Sequence, residues 1–203
     1  MPNSIIHPYE WSTDDLQYFV TINSGRNELS LYQSKYENKK YITTKLSTSS
    51  DSITRLESDP IQCYDCSPTE TGLFASGLLT GTVTISNLKA VSRAVFRLRP
   101  KQQRPCNSVS FNSQSLLAVA LDKVRNDTSL QISDVNRVQQ NDSIPCYSLM
   151  LSEVVSSASF LRESPSSLIC GSYKFLREYD LRTSSTVFET ATKFVQGVTI
   201  DRF

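Results

Sequence analysis

The sequence predicts an all-β fold, a partial β-propeller of about four blades plus the first strand of another. Three observations predict it. Short alternating strands recur at a nearly fixed step, and each follows an apolar run with small residues embedded in it. No segment of roughly 12 or more residues carries a helical apolar stripe, which disfavours folds that alternate strand and helix.

The recurring strands are Val83-Thr84-Ile85-Ser86-Asn87-Leu88, Leu130-Gln131-Ile132-Ser133-Asp134-Val135 and Leu176-Arg177-Glu178-Tyr179-Asp180-Leu181. Aligned on Asn87, Asp134 and Asp180 they step by 47 and 46 residues. That is close to the roughly 40–45 residues of a four-stranded WD blade. Before each lies an apolar run: Leu73-Phe74-Ala75-Ser76-Gly77, Leu116-Leu117-Ala118-Val119-Ala120 and Leu168-Ile169-Cys170-Gly171. The small residues let the backbone approach the propeller channel.

Further upstream is another alternating strand that ends near a turn. Its copies are Cys63-Tyr64-Asp65-Cys66-Ser67-Pro68, Asn107-Ser108-Val109-Ser110-Phe111-Asn112 and Ala158-Ser159-Phe160-Leu161. A weaker copy opens the chain at Trp11-Ser12, Tyr18-Phe19-Val20 and Glu28-Leu29-Ser30-Leu31-Tyr32. A fifth begins at Val195-Gln196-Gly197-Val198-Thr199-Ile200. The blades are expected at approximately 7–42, 60–100, 105–145 and 150–190 within one domain, the fifth starting near 195. Residues 43–58 are Ser/Thr-rich and read as a long loop with at most one edge strand, and 136–145 as a polar connection.

Composition narrows the class. The 203 residues are 38% hydrophobic and 20% charged, and 21 basic against 20 acidic side chains leave a net charge of +1. Whole-chain electrostatics therefore favours neither nucleic acid nor membrane. The apolar runs fall far short of the roughly 20 residues that cross a bilayer, and Met1–Glu10 carries no secretory signal. The five cysteines, Cys63, Cys66, Cys106, Cys146 and Cys170, are odd in number and fit a reducing compartment better than a disulfide framework. Asn126-Asp127-Thr128 and Asn141-Asp142-Ser143 match a glycosylation pattern but read as turns.

No enzyme, metal or cofactor site is expected. Cys63-Tyr64-Asp65-Cys66 is a CxxC without the second pair that structural zinc needs, and alternation sends its two thiols to opposite faces. The sole histidine, His7, leaves the many serines without a base to activate them. Gly77 and Gly81 lack the strand-to-helix setting of a phosphate cradle.

Two charged groups remain as candidate partner contacts. Arg99, Lys101 and Arg104 close a basic run that begins at Arg93 and includes Arg97; it fits an anionic lipid, RNA or an acidic partner, or simply a solvated connection. Asp122, Lys123 and Arg125 sit in the turn after an apolar strand, the kind of loop on which a rigid scaffold carries its contacts.

Arg104-Pro105-Cys106-Asn107-Ser108-Val109, followed by Leu117-Ala118-Val119-Ala120-Leu121-Asp122-Lys123-Val124-Arg125, resembles the Mio (missing oocyte) family, WD-repeat subunits of the SEA complex, called GATOR in animals. Asn27–Tyr32, Phe175–Arg182 and Val195–Asp201 are similar to the same family in order and spacing. Family proteins are several times longer, adding a closed propeller, an α-helical solenoid and a zinc-binding region. The resemblance implies a non-catalytic scaffold that couples amino-acid sufficiency to TOR signalling at the cytoplasmic face of the vacuole or lysosome. It implies other SEA/GATOR subunits as partners, nucleoporin-type propellers among them, with Glu10–Tyr32 the candidate for strand addition. The competing expectations are an RNA- or lipid-binding module working through the basic run, and a non-functional fragment of a longer protein.

Overall fold

The computed structural model describes residues 4–13, 16–23, 28–48, 59–87, 89, 95–139, 144–149, 153–198 and 200. These build four antiparallel sheets of four strands, each strand hydrogen-bonded to the next in chain order. The first sheet holds β1 Ser4–Thr13, β2 Leu16–Asn23, β3 Glu28–Glu37 and β4 Lys40–Thr48. The second holds β5 Ile61–Cys66, β6 Leu73–Leu78, β7 Val83–Asn87 and β8 Val95–Leu98. In the third are β9 Cys106–Phe111, β10 Leu116–Leu121, β11 Leu130–Asp134 and β12 Tyr147–Leu149. The fourth comprises β13 Val155–Phe160, β14 Ser167–Ser172, β15 Phe175–Asp180 and β16 Ser185–Ala191.

Two local readings change. The Ser/Thr-rich stretch is strand up to Thr48, because Tyr41, Ile42, Thr43 and Thr44 are β-formers paired with β3 across a tight turn. In that turn Asn38 and Lys39 both take positive φ, 53° and 64°, the conformation two-residue hairpins require. Residues 49–58 lie outside the described set. The polar connection after Asp134 opens with a one-turn helix, α1 Val135–Gln139, whose Val135 and Val138 are buried in the core shared with β8. Asn141–Ser143 lie outside the described residues.

The core lies between sheets. Period-two alternation along β10 sends Leu117, Val119 and Leu121 into the cluster shared with the second sheet. Ala118 and Ala120 from the same strand enter the cluster shared with the fourth. A smaller cluster of Leu31, Cys66 and Phe74 joins the first sheet to the second.

Strands β5, β9 and β13 lie side by side as the inner edges of consecutive blades. An inner edge leaves backbone groups unpaired within its own sheet, and side chains of the preceding blade satisfy them. The Phe111 amide donates to Asp65 Oδ2 at 2.7 Å, and one blade on the Phe160 amide donates to Ser110 Oγ at 3.2 Å. Asn107 Nδ2 donates to the Val155 carbonyl at 2.9 Å, and in the same repeat position Ser156 Oγ donates to the Val195 carbonyl.

The small residues of the second strands have a more specific role than reaching the channel. Gly77 pairs with Cys63 and faces Cys106; Ala120 pairs with Ser108 and packs with Val155; Gly171 pairs with Ser157 and faces Val195. Each makes room for the first inner residue of the next blade. No strand is assigned at 193–198, yet Val195 takes the contacts that Val155 and Cys106 take one and two blades earlier.

The polar residue that set the repeat alignment has one job in all three blades. Asn87, Asp134 and Asp180 each accept, through Oδ1, the amide two residues on, from Lys89, Asn136 and Arg182 at 2.8, 2.9 and 2.9 Å. These turns end the third strand. The aliphatic that follows is buried where described, at Val135 and Leu181.

Candidate interaction surface

Two loops that the sequence treats separately meet at one edge of the third sheet. Residues 99–105 cross from β8 to β9, and residues 122–129 join β10 to β11. The Asp122 amide donates to the Pro105 carbonyl at 3.0 Å, and the Leu121 amide to the Ser129 carbonyl at 2.7 Å.

Arg104 fastens the second loop from beneath. Its Nη2 reaches Asp127 Oδ2 at 2.8 Å and the Thr128 carbonyl at 2.7 Å, with side-chain exposures of only 2% and 5% for the two charged partners. Asp127 Oδ1 also accepts the Thr128 amide at 2.9 Å, and Asn126 turns the chain with φ 64°. Arg104 is therefore corrected from a candidate surface contact to a buried anchor. A charge this deep is tolerable only because it is paired and hydrogen-bonded.

The remaining candidates are distributed around that anchor. Lys123 and Arg125 are exposed and Asp122 is half-buried, all carried on the fastened loop. Arg99 and Lys101 are exposed on the crossing loop, and Arg97 is half-buried on β8. Arg93 lies outside the described residues. The described part of the basic run is thus dispersed: Arg104 is buried, Arg97 is half-buried, and Arg99 and Lys101 are exposed.

A cleft of about 480 Å³ is lined by Thr80, Thr82, Arg97 and Arg99 together with Asp59. A second cleft, of about 510 Å³, opens at the ends of the inner strands between Asp65, Ser108, Ser110, Asn112 and Arg162. Asp65 is already occupied there by the Phe111 amide, so its carboxylate serves the blade junction.

The CxxC pair is divided as alternation requires. Cys66 packs with Leu31 and Phe74 toward the first sheet, while Cys63 points at Cys106 of the third. Burial raises the Cys66 thiol well above its usual range. His7 lies on β1 opposite Val20. Glu10–Tyr32, the candidate for strand addition, is already paired within β1, β2 and β3, so no single strand of it is spare.

Sequence reasoning missed Asp127 as a functional anchor, reading it only as part of a turn. A usable signal is the charged residue two places before an inner strand. Arg104 holds that place in the third sheet, and in the fourth it is Glu153, which pairs with Arg177 on β15 at 3.1 Å.

Four-stranded meanders packed face to face, with inner strands bonded blade to blade, define a WD-type propeller scaffold. Solved structures agree. The WD40 domain of Toxoplasma gondii coronin superposes with a TM-score of 0.58 at 15% identity, over 94% of this chain and 51% of that one. Saccharomyces cerevisiae Sqt1 gives 0.59 at 13% identity, over 91% and 48%. No protein-family model matches the chain.

Within that class, the chain is homologous to SEH-associated protein 4 and to the Mio proteins of GATOR2. SEH-associated protein 4 of Saccharomyces cerevisiae is 26% identical over 95% of this chain and 23% of its own length. The GATOR2 complex protein MIOS of Dictyostelium discoideum is 40% identical over 39% of this chain and 7% of itself. For GATOR2 complex protein Mio of Drosophila melanogaster the figures are 28%, 63% and 15%. The chain spans less than a quarter of the length of these curated relatives.

Proposed function

We propose that the chain is a non-catalytic interaction subunit of a SEA/GATOR-type complex, one that takes part in TOR signalling in response to amino acids. The observation that carries this reading is the fastened loop of residues 122–129. Arg104 and Asp127 hold it with a buried ion pair, and it carries exposed Lys123 and Arg125 beside half-buried Asp122. A preordered loop on a rigid scaffold binds a partner without first losing conformational entropy.

Its partners on this reading are other SEA/GATOR subunits, including nucleoporin-type propellers. It reaches the vacuolar or lysosomal membrane from the cytoplasm only through the complex. No described helix is long and apolar enough to cross a membrane. Because Glu10–Tyr32 is already paired, any blade lent to a partner propeller is the whole sheet β1–β4. The small cluster at Leu31, Cys66 and Phe74 is what such a transfer has to break.

The test is co-precipitation of the tagged chain with those subunits, comparing wild type with Asp122→Lys/Lys123→Glu/Arg125→Glu. An unchanged melting temperature with partner recovery reduced at least about tenfold, some 1.4 kcal/mol, supports the reading. Equal recovery removes this loop from the interface.

A second reading, binding of anionic lipid or RNA, draws on the Thr80, Thr82, Arg97 and Arg99 cleft. Asp59 in that cleft and the burial of Arg104 both weaken its positive field.

A further inference from the structure

We propose that Cys63 and Cys106 form an oxidation site that takes a two-electron oxidant such as a peroxide and becomes a disulfide joining the second and third blades. The two sulfurs lie 3.6 Å apart across the blade junction, though 43 positions separate them in sequence. Cys63 Sγ also donates to the Cys106 carbonyl at 3.5 Å, which places its side chain along β9. A disulfide needs about 2.05 Å between sulfurs, a closure within reach of small side-chain rotations.

The chain supplies its own comparison. The same junction is built twice more, with Ser108 and Val155 at the equivalent places, and then Ser157 and Val195. Hydroxyl and valine therefore meet the packing demand that two thiols meet here. Gly77 makes the thiol pair possible, since a Cβ at that position would collide with both sulfurs. At the Ser108 junction the same place holds Ala120. The fold needs something small there; it does not need sulfur.

Accessibility orders the chemistry. Cys63 is half-buried and Cys106 has no exposed surface, so the oxidant meets Cys63 first. The Cys63 thiolate attacks one peroxide oxygen, the O–O bond breaks, and the departing hydroxide takes a proton to become water. Cys106 Sγ then attacks the sulfenic sulfur of Cys63, the S–O bond breaks, and the hydroxide leaves as water with the Cys106 proton. Two thiols lose two electrons, and one peroxide becomes two waters. The Cys63 hydrogen bond, and then burial, hold the Cys106 thiol well above its usual range, so the resolving thiol keeps its proton until the attack.

The test treats the full chain with hydrogen peroxide, blocks remaining thiols with N-ethylmaleimide, digests it without reduction and reads the peptides by mass spectrometry. A Cys63–Cys106 linked peptide is expected, lost again on reduction, with the five free thiols falling to three. The melting temperature should rise, because the link closes a long loop. Cys146→Ser, which removes the exposed thiol, should give the same link. Cys63→Ser and Cys106→Val copy the other two junctions; each should melt like the reduced wild type and show neither link nor rise. Recovery of both Cys63 and Cys106 as alkylated peptides while Cys146 is oxidised overturns the proposal. Sulfinic acid at Cys63 without a link, or the same rise in the Cys63→Ser chain, also overturns it.

Discussion

The Arg104 guanidinium donates from one nitrogen, Nη2, to both Asp127 Oδ2 and the Thr128 carbonyl, at 2.8 and 2.7 Å, beneath the loop that carries Asp122, Lys123 and Arg125. Its Nε and Nη1 find no hydrogen-bond partner among the described residues. The pair is thus an organising contact whose own energetics are poor, because two charges leave water for an incomplete set of hydrogen bonds.

A direct prediction follows for stability. Removing either partner alone strands a buried charge, so Arg104→Met or Asp127→Leu should each cost about 3–5 kcal/mol in urea unfolding. The double replacement should cost much less than the sum, since no charge is left behind. Additive losses would mean that the two groups act independently. Even if the double variant is stable, partner recovery should stay low, because the loop has lost its fastening.

The junction triads make a packing prediction. Gly77→Ala alone pushes a methyl group into two sulfurs and should cost about 1–3 kcal/mol, the usual penalty of overpacking. Adding Cys63→Ser and Cys106→Val turns that junction into a copy of Ser108, Ala120 and Val155. The triple variant should recover most of the loss in thermal unfolding. Failure to recover would show that neighbouring residues, and not the triad, set the fit.

How much of this could be read from the sequence differs by level. The repeat was legible because it rests on local pattern: period-two alternation, embedded small residues, and an Asn or Asp at a fixed place. The structure gives Asn87, Asp134 and Asp180 identical turn bonds, so the alignment tracked a physical requirement. Long-range pairing was not legible. A charge two places before an inner strand marks Arg104 but does not name Asp127 as its partner, and nothing local marks Cys63 as the neighbour of Cys106, because blade packing brings these pairs together. The reading of Arg104 as a surface cation failed for that reason: a run of like charges looks the same whether or not one member turns inward. Residues 43–48 read as loop with at most one edge strand because Ser and Thr raise the loop signal while β-branching raises the strand signal, and pairing with β3 decides for strand.

Asp180 gives a prediction in pH. The Arg182 side chain, then the Arg182 amide, hold its carboxyl below the usual carboxylate range. A carboxyl depressed in the folded state stabilises the fold above its unfolded value of about 3.9, and that contribution disappears as pH falls through the lower folded value. In an NMR titration Asp180 should therefore protonate below the ordinary range. Arg182→Ala should move its midpoint upward, though not fully, because the backbone bond stays. An unchanged midpoint would assign the shift to the turn amide alone.

The last prediction separates the two functional readings by charge. Arg99 and Lys101 are exposed and lie outside the fastened loop, so Arg99→Glu/Lys101→Glu reverses the basic segment without disturbing Arg104 or Asp127. If the chain works as an interaction subunit through residues 122–129, partner recovery should stay within about twofold of wild type, well under the tenfold step that 1.4 kcal/mol represents. Any binding to anionic phosphatidylserine vesicles, or to single-stranded RNA, should then be weak, lost by moderate salt and abolished by the reversal, because it depends on a few screened surface charges. The opposite pattern reverses the assignment. Tight vesicle or RNA binding that the double reversal destroys, beside partner recovery that neither this variant nor the Asp122, Lys123 and Arg125 reversal changes, would make the Thr80, Thr82, Arg97 and Arg99 cleft the working surface.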